Sequence, residues 1–146
     1  MSLYQILGGE LFVKSLVSDF YQIMDSDPKA KTIRAMHIGN LQLIEEKLFM
    51  FLSGWLGGPS LYIEKYGHPR LRQRHISFSI GAQERDEWMY CITTAFEKND
   101  TEKILGTENY QKLWKAVYDL ADFMQINKIL KRCLNTNTAE VAKKIT

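Results

Sequence analysis

Three histidines, His37, His68 and His75, are the residues best suited to hold a metal or move a proton, yet their spacing matches neither an HExxH helix nor a zinc-finger pair. His75 differs from the others in its setting. It follows Arg70-Leu-Arg-Gln-Arg74 and precedes Ile76-Ser-Phe78, so one imidazole has cations on one side and hydrophobes on the other. That pattern suits a ligand that is apolar in the middle and anionic at its edge. Haem fits this description, because its iron takes a neutral imidazole nitrogen while its propionates seek arginine or lysine. Taken alone, a histidine in a basic loop also reads as a surface residue, and its cations as a solvated face or a weak phosphate site.

Tyr21 and Trp88 fall in helical patterns where an aromatic core residue is the ordinary reading. Each also carries a polar group that needs a partner if buried, and a bound diatomic molecule is one such partner. The carboxylate pairs Glu45 and Glu46, Asp86 and Glu87, and Asp119 and Asp122 read as solvated helix faces and receive no catalytic role. No serine sits in a nucleophile-elbow pattern, and no glycine-rich phosphate loop is present. Cys91 and Cys133 form no CxxC and read as reduced thiols of a cytoplasmic protein.

The elements that would position these residues are helical. Val13, Leu16, Val17, Phe20 and Met24 make one stripe of a helix that begins near Glu10, after Gly8-Gly9, and stops at Asp25-Ser-Asp-Pro28. A short irregular or helical stretch runs from there to Asn40. Ile44, Leu48, Phe51, Leu52 and Trp55 continue the helical period from Leu41 until Gly57-Gly58-Pro59. Residues 60–81 show no sustained period and read as a loop with a short helix over 70–75. Two further helices follow, one over 83–96 carrying Trp88, Cys91, Ile92, Ala95 and Phe96. The other carries Leu113, Ala116, Val117, Leu120, Phe123, Met124 and Leu130. No run has the period of a half-buried strand.

With 146 residues, 45% hydrophobic and 25% charged, the composition is that of one globular domain, expected over 1–134, with a polar, flexible tail over 135–146. A net charge of +2 is too small to argue for nucleic acid. The N-terminal MSLYQILGGELF lacks a basic stretch before a long apolar run, and no apolar segment reaches membrane-spanning length, so neither export nor a membrane partner is expected.

Read jointly, Phe20-Tyr21, Leu56-Gly-Gly-Pro59 and the run YGHPxLRxRHxxFxIGxxERDxW, from Tyr66 to Trp88, resemble the truncated haemoglobins of the second group over about residues 4–130. The resemblance implies an all-α, two-over-two helical sandwich around haem b (iron protoporphyrin IX), with an extended loop and a short helix on the proximal side. It implies His75 as the ligand to iron, Tyr21 as the distal tyrosine and Trp88 as the tryptophan whose indole N–H faces bound ligand. Ile44 and Leu48 fall on the distal face of the second long helix. His37 falls where the family carries an aromatic residue or histidine near the ligand. Phe51, Leu52, Trp55, Phe78 and Ile92 become haem-packing hydrophobes, and Lys47, Tyr62, Arg72 and Arg74 candidates for the propionates. Ile44 and Leu48 are apolar where some relatives place a polar residue, which leaves Tyr21, Trp88 and His37 as the polar groups over the iron.

Two functional classes are compatible with that resemblance. One is a protein, monomeric or weakly dimeric, that reversibly binds O2, NO or CO. The other is an enzyme with peroxidase-like or NO-dioxygenase chemistry that draws on an external electron donor. Polar donors near iron serve both.

Overall fold

The computed structural model describes residues 1–75 and 78–125. A capping box opens the chain: the Ser2 hydroxyl accepts from the Gln5 amide at 3.3 Å, and the Gln5 side chain accepts from the Ser2 amide at 3.2 Å. Helix α1 (Leu3–Leu7) runs from it to Gly8, whose left-handed φ of 117° lets α2 (Gly9–Ser26) start in a new direction. Asp27 and Pro28 end α2 as expected. The Asp27 carboxylate accepts from the Lys29 amide at 2.9 Å and caps a short 3-10 turn, Pro28–Ala30, that leads into α3 (Lys31–Met36).

Asn40 caps α4 (Leu41–Trp55) by accepting from the amides of Gln42 and Leu43 at 3.0 and 3.3 Å. Helices α5 (Leu61–Tyr66) and α6 (Leu71–His75) follow, then α7 (Ala82–Lys98), α8 (Thr101–Leu105) and α9 (Thr107–Phe123). Among the described residues there is no strand, and no helix is long and apolar enough to cross a membrane.

Helix α2 is the centre of the molecule. It buries Phe12, Val13, Leu16, Val17, Phe20, Tyr21, Ile23 and Met24, more than one face, because it packs against α4 on one side and α7 on another. Helix α7 packs in turn on α9, so the two pairs α2/α4 and α7/α9 form the expected two-over-two sandwich. At the end of α4 the chain returns to α1, where the Tyr4 amide donates to the Leu56 carbonyl at 3.0 Å. Gly58 lies so close there that a Cβ would sit 2.6 Å from the Tyr4 ring and 2.8 Å from the Ser53 carbonyl.

The structure departs from the periodicity in two ways. Helices α1, α5 and α8 span five or six residues each, less than two turns, which is too short for a periodic stripe to announce them, while α3 falls in the stretch expected to be irregular or helical. Helix α5 therefore occupies part of the stretch expected to be loop. On α9 the inward face is Leu113, Val117 and Ala121, while Ala116 and Phe123 are exposed. The expectations for Leu130, Cys133 and the tail at 135–146 lie outside the described residues.

Candidate functional site

Three side chains with unused polar atoms among the described residues, Tyr21, Trp88 and His37, are brought together from three elements. Tyr21, midway along α2, is 5% exposed, and its ring meets Phe20 edge-on at 5.0 Å and His37 edge-on at 6.0 Å. Phe20 in turn meets Trp88 at 5.3 Å, so Trp88, Phe20, Tyr21 and His37 form a chain of ring contacts from α7 through α2 to the end of α3. Among the described residues the Tyr21 hydroxyl has no hydrogen-bond partner, yet it is not sealed from accessible space. Burial, and secondarily the charge of Glu45, pushes its pKa well above the usual phenol value, so it remains an O–H donor. The half-buried Trp88 likewise has an indole N–H without a partner among the described residues.

Both candidate pocket histidines are oriented by a carbonyl one helical turn earlier. His75, the last residue of α6, donates from Nδ1 to the Leu71 carbonyl at 2.6 Å, and His37 donates from Nδ1 to the Ile33 carbonyl at 2.7 Å. A carbonyl only accepts, so each Nδ1 carries a proton, and in the neutral form of either ring Nε2 is the nitrogen with the lone pair. The two rings are near enough to feel each other. Burial first, against the hydrogen bond to the Ile33 carbonyl and aided by the nearby Arg34 guanidinium and His75 ring, holds the His37 pKa below the ordinary 6.5. His68 is exposed, and its Nδ1 accepts the Arg70 amide at 3.1 Å, away from this group.

The remaining predicted residues divide between half-buried positions, the core and the surface. Ile44, Leu48, Phe51 and Trp55 lie along α4 and are only half-buried although packed against the core, so this helix presents apolar surface that its neighbours leave partly uncovered. Leu52 and Ile92 are 4% and 2% exposed and belong to the core itself. Phe78 is 37% exposed, with its ring 6.1 Å from that of His75. Tyr62 is buried against Phe51 and Tyr66, with the Arg74 guanidinium 5.8 Å above its ring. The Lys47 ammonium lies 5.4 Å above Tyr66. Arg72 lies on α6, and its side chain is outside the described features.

This set fits haem on its own chemistry. An imidazole with a carbonyl-fixed tautomer and a free lone pair, an apolar face left half-covered and unpartnered donors on a neutral tyrosine and tryptophan are what a flat apolar iron ligand requires.

The family model for bacterial-like globins matches residues 2–126. The chain is a bacterial-like globin of the truncated, group II kind. This globin is 38% identical over 94 residues to the group 2 truncated haemoglobin YjbI of Bacillus subtilis (strain 168), a span covering 64% of the chain and 68% of that relative. Its structure is similar to that of a cold-adapted truncated haemoglobin from the Antarctic marine bacterium Pseudoalteromonas haloplanktis TAC125, with a TM-score of 0.79 and 38% identity over 86% of this chain and 98% of the other. A group II 2-on-2 haemoglobin from the plant pathogen Agrobacterium tumefaciens gives a TM-score of 0.79 and 40% identity, covering 86% and 94% of the two chains. Membership makes the globin a haem protein of the kind that binds small diatomic ligands.

Sequence reasoning passed over two carboxylates near the Tyr21, His37 and Trp88 group of this globin. Glu87 is not a solvated surface acid: it is half-buried and accepts the backbone amides of Thr32 and Ile33 at 2.8 and 3.2 Å. Glu45 is also half-buried and near enough to Tyr21 to raise its pKa. Asp122, a third acid read as exposed, is paired with Arg85 at 2.9 Å. No spacing announces these roles, since each depends on an element far along the chain. A cavity of about 600 Å³ opens beside His37 and is lined also by Met24, Asp25, Lys31 and Arg34. Another, of about 610 Å³, lies between α7, α8 and α9 and touches none of the predicted site residues.

Proposed function

We propose that this globin holds one haem b (iron protoporphyrin IX) through His75 and reversibly binds O2, or a related diatomic molecule such as NO or CO, beside Tyr21, Trp88 and His37. The observation that carries the reading is the 2.6 Å hydrogen bond from His75 Nδ1 to the Leu71 carbonyl, which leaves Nε2 as a neutral, oriented electron-pair donor. When bound, haem would supply an iron centre with one position for a protein nitrogen and one for a small ligand.

The chain's own residues then divide the work. Ile44, Leu48, Phe51, Trp55 and Phe78 offer apolar surface whose burial against a flat ring stabilises the complex at about 25 cal/mol per Å². Lys47 and Arg74 now rest over tyrosine rings, contacts of roughly 0.5–1 kcal/mol at exposed sites that a charge-assisted bond to a propionate outweighs. Tyr62 and Arg72 are the further candidates for that rim. On the ligand side Tyr21 O–H and Trp88 N–H donate hydrogen bonds and His37, its pKa lowered chiefly by burial, stays neutral. The buried Cys91 thiol, its pKa pushed up to about 12 by burial, is unreactive and takes no part in this chemistry.

Absorption spectra of the purified chain supplied with hemin, in ferric, ferrous and CO-treated forms, test this. An intense band near the visible edge of the ultraviolet that shifts with CO is expected, and His75→Ala should lose or displace it. No such band, or an unaltered one in His75→Ala, overturns the assignment. Sustained consumption of peroxide or NO with an added reductant would move the reading from binding to catalysis.

A further inference from the structure

Helix α3, which His37 directly follows as the C-cap residue, begins without a cap of its own. Its N-cap residue is Ala30, whose side chain has no acceptor, so the first-turn amides of α3 need partners from elsewhere. The partner comes from α7. One oxygen of Glu87, Oε1, accepts from both Thr32 N at 2.8 Å and Ile33 N at 3.2 Å, contacts that span 55 and 54 residues of sequence. The other oxygen, Oε2, accepts from Gln83 Nε2 at 3.1 Å, and the same Gln83 amide donates to Thr32 Oγ1 at 3.1 Å. Ile33 is the hinge of the arrangement: its N–H is held by Glu87, and its carbonyl holds His37 Nδ1 at 2.7 Å. At the other end of α3, Arg34 donates to the His37 carbonyl at 3.0 Å while paired with Asp25 at 2.7 Å. Glu87 also precedes Trp88, so one turn of α7 both anchors α3 and carries the indole of the distal group.

We propose that Glu87 is a positioning residue for the distal pocket: by capping α3 from α7 it fixes the Ile33 carbonyl, and through it the orientation and tautomer of His37 relative to Tyr21 and Trp88. The inference rests on the reading that His37 borders the ligand side. Its geometric part, from Glu87 to His37, stands on the hydrogen bonds alone.

The test uses the full-length chain labelled with nitrogen-15, both haem-free and haem-loaded with CO. Long-range imidazole spectra should give a single Nδ1–H tautomer for His37 in the unmodified protein and in Glu87→Gln, whose amide oxygen still accepts. In Glu87→Ala the tautomers should mix, and exchange of the Thr32 and Ile33 amides should quicken roughly tenfold or more. The C–O stretch of the CO-treated form should shift in Glu87→Ala and not in Glu87→Gln. Gln83→Ala, which loosens the same seam without unpairing the amides, should leave His37 unmoved. An unchanged His37 signal in Glu87→Ala overturns the proposal. So does a Gln83→Ala effect of equal size, or failure of Glu87→Gln to rescue. Should Glu87→Ala not fold, Glu87→Asp, one methylene shorter, replaces it with the same expected direction and the same refuting result. A chain that takes up no haem refutes the proposed function, while the haem-free spectra still decide the role of Glu87.

Discussion

Replacing Tyr21 with phenylalanine removes one oxygen atom from a residue that is 5% exposed, while keeping the ring that meets Phe20 at 5.0 Å and His37 at 6.0 Å. That oxygen has no hydrogen-bond partner among the described residues, so ligand-free protein should lose nothing by its removal. An unpaired buried polar group costs about 1–3 kcal/mol, and because this one still reaches accessible space the gain on removal should be at the low end, about 0–1 kcal/mol. In a chain of this size that is a rise in Tm of at most about 4 °C. Ligand binding should move the other way. If the hydroxyl donates to a bound diatomic molecule, its loss costs about 1–1.5 kcal/mol, or about tenfold in O2 affinity. Thermal melts of the ligand-free form and stopped-flow O2 release from the haem-loaded form read the two quantities. The opposite signs are the signature of a donor held ready for a ligand. Unaltered O2 release with haem retained would refute the reasoning, as would a loss of stability above about 1.5 kcal/mol, which would mean that the hydroxyl already had a protein partner.

Trp88→Phe keeps the edge contact with Phe20 and removes the indole N–H, and should speed O2 release about tenfold in stopped-flow mixing. Gly58→Ala forces a methyl group to within 2.6 Å of the Tyr4 ring and 2.8 Å of the Ser53 carbonyl, and should lower stability by about 1–3 kcal/mol in urea titrations. The Asp27 carboxylate accepts the Tyr90 hydroxyl at 2.6 Å and, next, the Lys29 amide, and these bonds hold its pKa below the ordinary 3.8. A depressed folded pKa gives stability that is present above the unfolded value and is lost as pH falls through the folded one. Tyr90→Phe should therefore flatten the acid limb of a stability-against-pH curve below the ordinary carboxylate range, with little change in its slope near neutral pH.

Much of the molecule was legible from residue order because the relevant signals are local. The apolar stripe of α2, its stop at Asp27 and Pro28, and the run of α4 to the glycine pair at 57 and 58 follow from a 3.6-residue period and from the backbone limits of proline and glycine. The run from Tyr66 to Trp88 pointed to a truncated globin, and the family match agrees. Helices α1, α5 and α8 escaped because five or six residues do not display a clear period. The outward turn of Phe123 escaped because an apolar residue is no evidence of burial by itself.

Residue order alone pointed to His75 and Trp88 within one run, to Tyr21 beside Phe20, and to His37 by its place ahead of Leu56-Gly-Gly-Pro59, as the polar groups worth following. Only the tertiary structure decided which of them meet, and which carboxylates lie beside them. Glu87 and Ile33 are 54 residues apart in sequence and 3.2 Å apart in space. A helix without its own cap takes whatever acceptor the neighbouring helix brings to it, and packing, not sequence spacing, selects that acceptor.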